Sequence, residues 1–142
     1  MCRLPSDPVR FTFMGDPIPL ARPRLGKNGR VYDSQYKDKA IWMWDARLQA
    51  KNMPLMLGFV HMSVEFIMPI AVSLSAKKRK ELQETWHDSK PDLSNLLKFV
   101  EDVLIGIAYH DDSQVCKIEC TKKYGLQPQT LVILTQIDPT GI

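Results

Sequence analysis

Lys90 to Val115 reads KPDLSNLLKFVEDVLIGIAYHDDSQV, and the fold turns on this stretch. Pro91 disfavours helix at Lys90 and favours a turn. Asp92 then suits an N-cap, because a short carboxylate accepts the free amide hydrogens of a first helical turn. Leu93, Leu96, Leu97, Val100, Val103 and Leu104 recur at three- and four-residue spacing, the mark of an amphipathic helix packed on a core. Gly106 is a stop signal. At 100° per residue, Asn95, Lys98 and Asp102 cluster away from the apolar stripe, with Asp92 near its edge. A second acidic group, Asp111 and Asp112, follows at a loop-to-strand junction, where functional residues concentrate. The expectation is that the fold brings Asp92 and the later pair together. A capping Asp, a solvated helix face and a solvated Asp-Asp turn account for the same residues without any function.

Composition narrows the classes. The chain has 142 residues, enough for one domain with a true core, and is 44% hydrophobic and 25% charged. The reading is a single domain over 1–142, with loose tails at 1–8 and 138–142. No apolar run approaches a membrane span and none resembles a signal peptide, so a cytoplasmic protein is expected. Cys2, Cys116 and Cys120 fit no zinc spacing. Cys116 and Cys120 share one face of a strand about 13 Å apart, too far to bridge each other, and read as reduced thiols in or near the core. Net charge is +3, mildly basic, which permits a nucleic-acid partner without requiring one. Local clustering says more: Arg22, Arg24, Lys27 and Arg30 lie close together, Lys77, Lys78, Arg79 and Lys80 form a run, and Lys122 and Lys123 make a weaker group.

Other segments complete the pattern. Val9 to Met14 alternates as a strand with Phe11 and Phe13 on one side. Pro17, Pro19 and Pro23 enforce an extended path that stiffens the segment carrying Arg22 and Arg24; a planar guanidinium held this way suits phosphate oxygens. Gly26, Asn28 and Gly29 mark a turn, after which Val31 and Tyr32 pair back. Gln35 to Ala50 reads as a helix whose face is Tyr36, Ala40, Trp44 and Leu48, widened by Ile41 and Met43; Trp42 and Trp44 read as core or dimer-interface residues. Phe59 to Met68 alternates as a strand. Ser75 caps a helix from Ala76 to about Trp86 with lysines in its first turn, an arrangement a partner's anions would favour. Ser113 to Lys122 is a strand, and Thr130 to Ile137 is expected to close the sheet as its partner. The order implies an α+β fold: a mixed, largely antiparallel sheet of about four strands packed with helices.

KPDLSNLLK, EDVL and HDDSQV together resemble the signature of the RusA-like Holliday junction resolvases, whose pattern runs K/R-x-D-x-D-N-x-x-K, then D-A-L, then D-D-x-Q-V/I. Asp92, Asn95, Lys98, Asp102, Asp111, Asp112, Gln114 and Val115 fall on the matching positions. GDPIPLARPR, followed by Tyr32, resembles the family's G-x-P-x-P-x-x-R-P-R segment, so the match runs from about residue 11 to about residue 124. One position departs: Ser94 stands where the family carries a second carboxylate, and a hydroxyl is a poorer ligand for a hard dication. The resemblance implies a homodimeric RusA-like fold and a metal-dependent endodeoxyribonuclease that resolves four-way junctions in branched DNA, in a bacterial or phage-infected cell. Asp92, Lys98 and Asp112 would be catalytic. Asp92, Asp112, Asp111 and Ser94 would face Mg²⁺, with Mn²⁺ as a substitute, supported by Asn95 and Asp102. Arg22, Arg24, Lys27, Arg30, Lys77 and Lys78 would bind DNA. Two other readings stand beside it. One is a junction-binding relative that has lost cleavage through Ser94; the other is a small interaction domain unrelated to nucleic acid.

Overall fold

The computed structural model describes residues 7–22 and 24–140. The chain forms β1 (Val9–Met14), β2 (Arg24–Leu25), β3 (Val31–Tyr32), α1 (Tyr36–Ala50), β4 (Val60–Met68), α2 (Ala76–Leu82), α3 (Leu93–Leu104), a 3-10 turn (Asp112–Gln114), β5 (Val115–Tyr124) and β6 (Gln129–Gln136). Four strands make one sheet in the order β1-β6-β4-β5, and β2 and β3 form a separate short antiparallel ribbon. β6 runs antiparallel to β1 and to β4, whereas β5 runs parallel to β4. The sheet is therefore mixed and mostly antiparallel, and the α+β expectation holds.

Strand alternation carries the packing. Val60, Met62, Val64, Phe66 and Met68 of β4 are buried, and so are Val9, Phe11 and Phe13 of β1 and Val132 and Leu134 of β6. This apolar face meets α3 through Leu96, Phe99, Val100, Val103 and Leu104. Trp42 of α1 joins the layers: its ring stacks on Phe13 with centroids 4.4 Å apart and meets the edge of Phe99 at 5.1 Å. Each buried aromatic removes a large apolar area from water, and paired rings add to that.

Five expectations are corrected. In α1 the buried residues are Trp42 and Ala46, while Tyr36, Ile41, Trp44 and Leu48 are exposed. The helix is apolar around most of its circumference, so four-residue spacing allows more than one face, and the slot between Phe13 and Phe99 selects Trp42. α2 ends at Leu82 rather than near Trp86 and buries nothing; the next residues turn to pair with the end of β5, where Tyr124 N–H donates to the Thr85 carbonyl at 2.9 Å. β6 inserts between β1 and β4 and does not partner β5. Cys116 is exposed and only Cys120 is half-buried. Finally, Asp92 occupies the N-cap of α3, but its side chain caps nothing. Its backbone carbonyl accepts from the Asn95 and Leu96 N–H groups, while its carboxylate turns to Lys90. At the other end the chain reverses at Gly106, whose φ of 80° suits a residue without a Cβ.

Candidate active site

α3 carries polar groups at both ends and a ridge between them. At its N-terminal end the Lys90 Nζ donates to the Asp92 carboxylate at 2.8 Å. That bond and the Lys90 charge hold the Asp92 carboxyl below the usual carboxylate range, with a smaller contribution from Lys122. Lys122, reaching over from β5, donates to the carbonyls of Ser89 and Pro91 at 2.7 and 2.8 Å and so fixes the turn that presents Asp92. The proline-rich segment docks here as well. Leu20 N–H donates to the Asn95 carbonyl at 2.9 Å, and Gln35 brackets the same segment, accepting from Ala21 N–H at 2.7 Å and donating to the Pro19 carbonyl at 2.6 Å. Arg22 is exposed just beyond this anchor.

At the C-terminal end lies an acidic cluster. Asp112 lies against the Asp111 side chain, which raises its carboxyl most; burial and the charges of Asp111 and Asp102 raise it further. Asp111 is lowered, first by the Ser113 backbone N–H that it accepts at 3.1 Å and then by Asp112. The two neighbouring carboxylates therefore shift in opposite directions, Asp112 up and Asp111 down. Glu101 belongs to the same cluster: burial, then Asp112 and Asp102, push its carboxyl up, and Lys98 opposes them. The buried Tyr109 hydroxyl donates to the Glu101 carbonyl at 2.8 Å. Lys39 of α1 approaches from the side, 2.7 Å from Asp33 and 3.9 Å from Asp102.

Gln114 fixes this acidic turn. Its Oε1 accepts from the N–H groups of His110 and Asp111, and its Nε2 donates to the carbonyls of Met56 and Gly58, both at 3.0 Å. The turn is thereby tied to the chain entering β4. Three of these residues, Glu101, Lys39 and Gln114, had no site role in the sequence reading. Glu101 was findable, since it lies three residues after Lys98 on the same ridge; nothing local distinguishes Lys39 from the other lysines.

The two ends of α3 do not meet within one chain. Asp92 and Asp102 are ten residues apart on a helix, about 15 Å, and the charges that act on Asp112 are those of Asp111 and Asp102. Ser94 and Lys98 are exposed on the intervening ridge, with Asn95 half-buried. Among the described residues no group of three or more His, Cys, Asp or Glu side chains is arranged to hold a metal. The donor set fits a hard dication in one specific way: two adjacent carboxylates whose charges repel, Asp111 and Asp112, offer oxygens that a cation would neutralise. Mg²⁺ needs few carboxylates and keeps waters or phosphate oxygens at its other positions. A closed protein cage does not fit.

Comparison with known proteins decides the relationship. The family profile described as Endodeoxyribonuclease RusA matches residues 14–135. The chain belongs to the RusA endodeoxyribonuclease family. It is also similar to the "Uncharacterized protein YqaN" of Bacillus subtilis (strain 168), 32% identical over 139 residues that cover 92% of this chain and 98% of that protein. The RusA match spans every site residue described above, from the proline-rich segment to β6.

The basic residues of this RusA chain lie on different elements. Lys27 and Arg30 are exposed around the β2–β3 turn, and Lys77, Lys78 and Lys80 are exposed on α2. The side chain of Arg24 lies outside the described residues. Lys123 sits over the ring of the exposed Trp86 at 4.6 Å. Among the described residues no helix is long and apolar enough to cross a membrane.

Proposed function

We propose that this RusA-family chain is a metal-dependent, structure-selective endodeoxyribonuclease that resolves four-way DNA junctions by paired phosphodiester hydrolysis, acting as a twofold homodimer inside the cell. Family membership over residues 14–135 supports the reaction class. The observation that carries the local chemistry is the adjacent carboxylate pair Asp111 and Asp112 beside the ridge of Lys98 and Asp102. Asp111 and Asp112 would hold Mg²⁺ or Mn²⁺, with Asp102 bearing on the same pair and Asp92, Ser94 and Asn95 presenting the second acidic position; such a cation would supply a water of lowered pKa and neutralise charge on the phosphate. Lys98 donates to phosphate oxygens as negative charge develops. Gln114 keeps Asp111 and Asp112 in register with β4. Arg22, Arg24, Lys27, Arg30, Lys77 and Lys78 hold the arms of the junction through phosphates. A junction is nearly twofold symmetric, so a twofold dimer makes two matched nicks.

Ser94 favours one further reading, a junction binder that does not cut, because the residue two positions after Asp92 bears a hydroxyl in place of a carboxylate. One experiment separates the readings. A labelled mobile four-way junction and a linear duplex are incubated with the protein in Mg²⁺ or Mn²⁺, alongside Asp92→Asn, Asp112→Asn and Ser94→Asp. Symmetric nicks in the junction alone, abolished in both Asn variants while junction binding persists, establish the nuclease. Tight binding without nicks, converted to cutting by Ser94→Asp, establishes the binder. Wild-type cutting by either Asn variant removes that residue from the site.

A further inference from the structure

β5 is an edge strand of ten residues with no proline, lying outermost beyond β4. Exposed edges of this kind template further pairing unless something blunts them. Its far end is covered: the Lys122 carbonyl accepts from His87 N–H, and Tyr124 exchanges hydrogen bonds with Glu84 and Thr85. Among the described residues nothing pairs with the outer edge between Val115 and Thr121. That free stretch has Ile118 at its midpoint. Cys116, Lys117, Ile118 and Glu119 are all exposed, Ile118 by 40%.

We propose that this edge is the contact surface for a second copy of the chain, paired antiparallel about a twofold axis at Ile118. Three observations converge on that register. The covering segment at Glu84–His87 stops a partner strand beyond Thr121, which leaves the stretch from Val115, centred on Ile118, as the free edge. Residues 122 and 124 turn their backbone groups outward, so by alternation along the regular part of the strand, Lys117 to Tyr124, Ile118 and Cys120 do too; Ile118 against its symmetry mate is then a hydrogen-bonded pair. Charge selects the same centre. With the axis at Ile118, Lys117 faces Glu119 of the partner subunit and Glu119 faces the partner's Lys117, in the closer, non-hydrogen-bonded positions. Within one chain these two side chains are already 3.9 Å apart on one face. An axis at Lys117 would oppose two lysines and an axis at Glu119 two glutamates, each of which destabilises a sheet. A twofold contact must be self-complementary, and this sequence is.

This gives the dimer of the proposed function its surface, and its test reads mass without DNA. Sedimentation equilibrium of the full chain should show a dimer at micromolar concentration. Lys117→Glu, which turns both ion pairs into repulsions, should weaken it about tenfold or more, and the swap Lys117→Glu/Glu119→Lys should restore it. A wild-type monomer at tens of micromolar, or a dimer indifferent to Lys117→Glu, overturns the interface. An indifferent dimer that still nicks junctions would leave the nuclease reading standing. A dimer that behaves as stated but never cuts would sink the nuclease and keep the interface.

Discussion

Glu101 sits in surroundings that disfavour its charge. Burial and the charges of Asp112 and Asp102 raise its carboxyl, and Lys98 offsets only part of this. A carboxyl raised by folding binds its proton more tightly in the folded chain. The linked stability is therefore present at low pH and is lost as pH rises through the folded value. Glu101→Gln should stabilise the chain by about 0.5 kcal/mol at pH 7.5 in urea unfolding, a size set by screening at a partly exposed site, and the gain should shrink as the pH falls through the raised folded value and vanish below the unfolded one. Asp92 behaves oppositely: Lys90 lowers it, so its contribution is present above the unfolded value and is lost as acid protonates it. Protonation of Asp112, whose carboxyl is raised by Asp111, would compete with a cation, so Mg²⁺-dependent cutting should strengthen as rising pH deprotonates it. Most of these residues are visible in the motif, but their charge states are not, because each depends on neighbours brought in from α1, α3 and the turn before β5.

At the level of elements, α1 and the acidic turn carry separate predictions. Trp42→Ala empties the slot between Phe13 and Phe99 and should cost about 3–5 kcal/mol, whereas Trp44→Ala, on the exposed face, should stay within about 0.5 kcal/mol. Equal losses in thermal or urea unfolding would mean that the helix is rotated from the position described. Gln114→Ala removes the side chain that ties the Asp111–Asp112 turn to Met56 and Gly58. The expected loss is about 1–3 kcal/mol, with junction cutting reduced and junction binding retained; cutting at the wild-type rate would show that the turn holds its shape alone. Periodicity identified α3 and β4 correctly because each has a single apolar side. It misassigned α1 because that helix has apolar residues around most of its surface, and it overextended α2 because helix propensity continues past Leu82 where tertiary contact does not.

For the whole molecule, the basic groups on the β2–β3 ribbon and on α2 make DNA affinity a matter of counterion release. The double variant Lys77→Ala/Lys78→Ala should lower the magnitude of the log affinity against log salt slope by about two if both lysines meet phosphates; an unchanged slope would place α2 off the DNA. The β5 register has a geometric consequence for the site. Antiparallel pairing at Ile118 sets the end of β5 that carries Asp111 and Asp112 against the opposite end of its mate, where Lys122 holds the turn bearing Asp92. Sequence alone determined the α+β class, the strand alternation, the polar ridge of α3, both acidic groups and the family, because each is written in local spacing and short motifs. Tertiary structure alone decided that β6 lies between β1 and β4, that β5 is a parallel edge strand, that Trp42 is the core tryptophan, and that Asp92 and Asp112 stand at opposite ends of one helix. Spacing specifies which face of an element is apolar, but which partner covers that face is settled only by long-range packing and hydrogen bonding among all the elements at once.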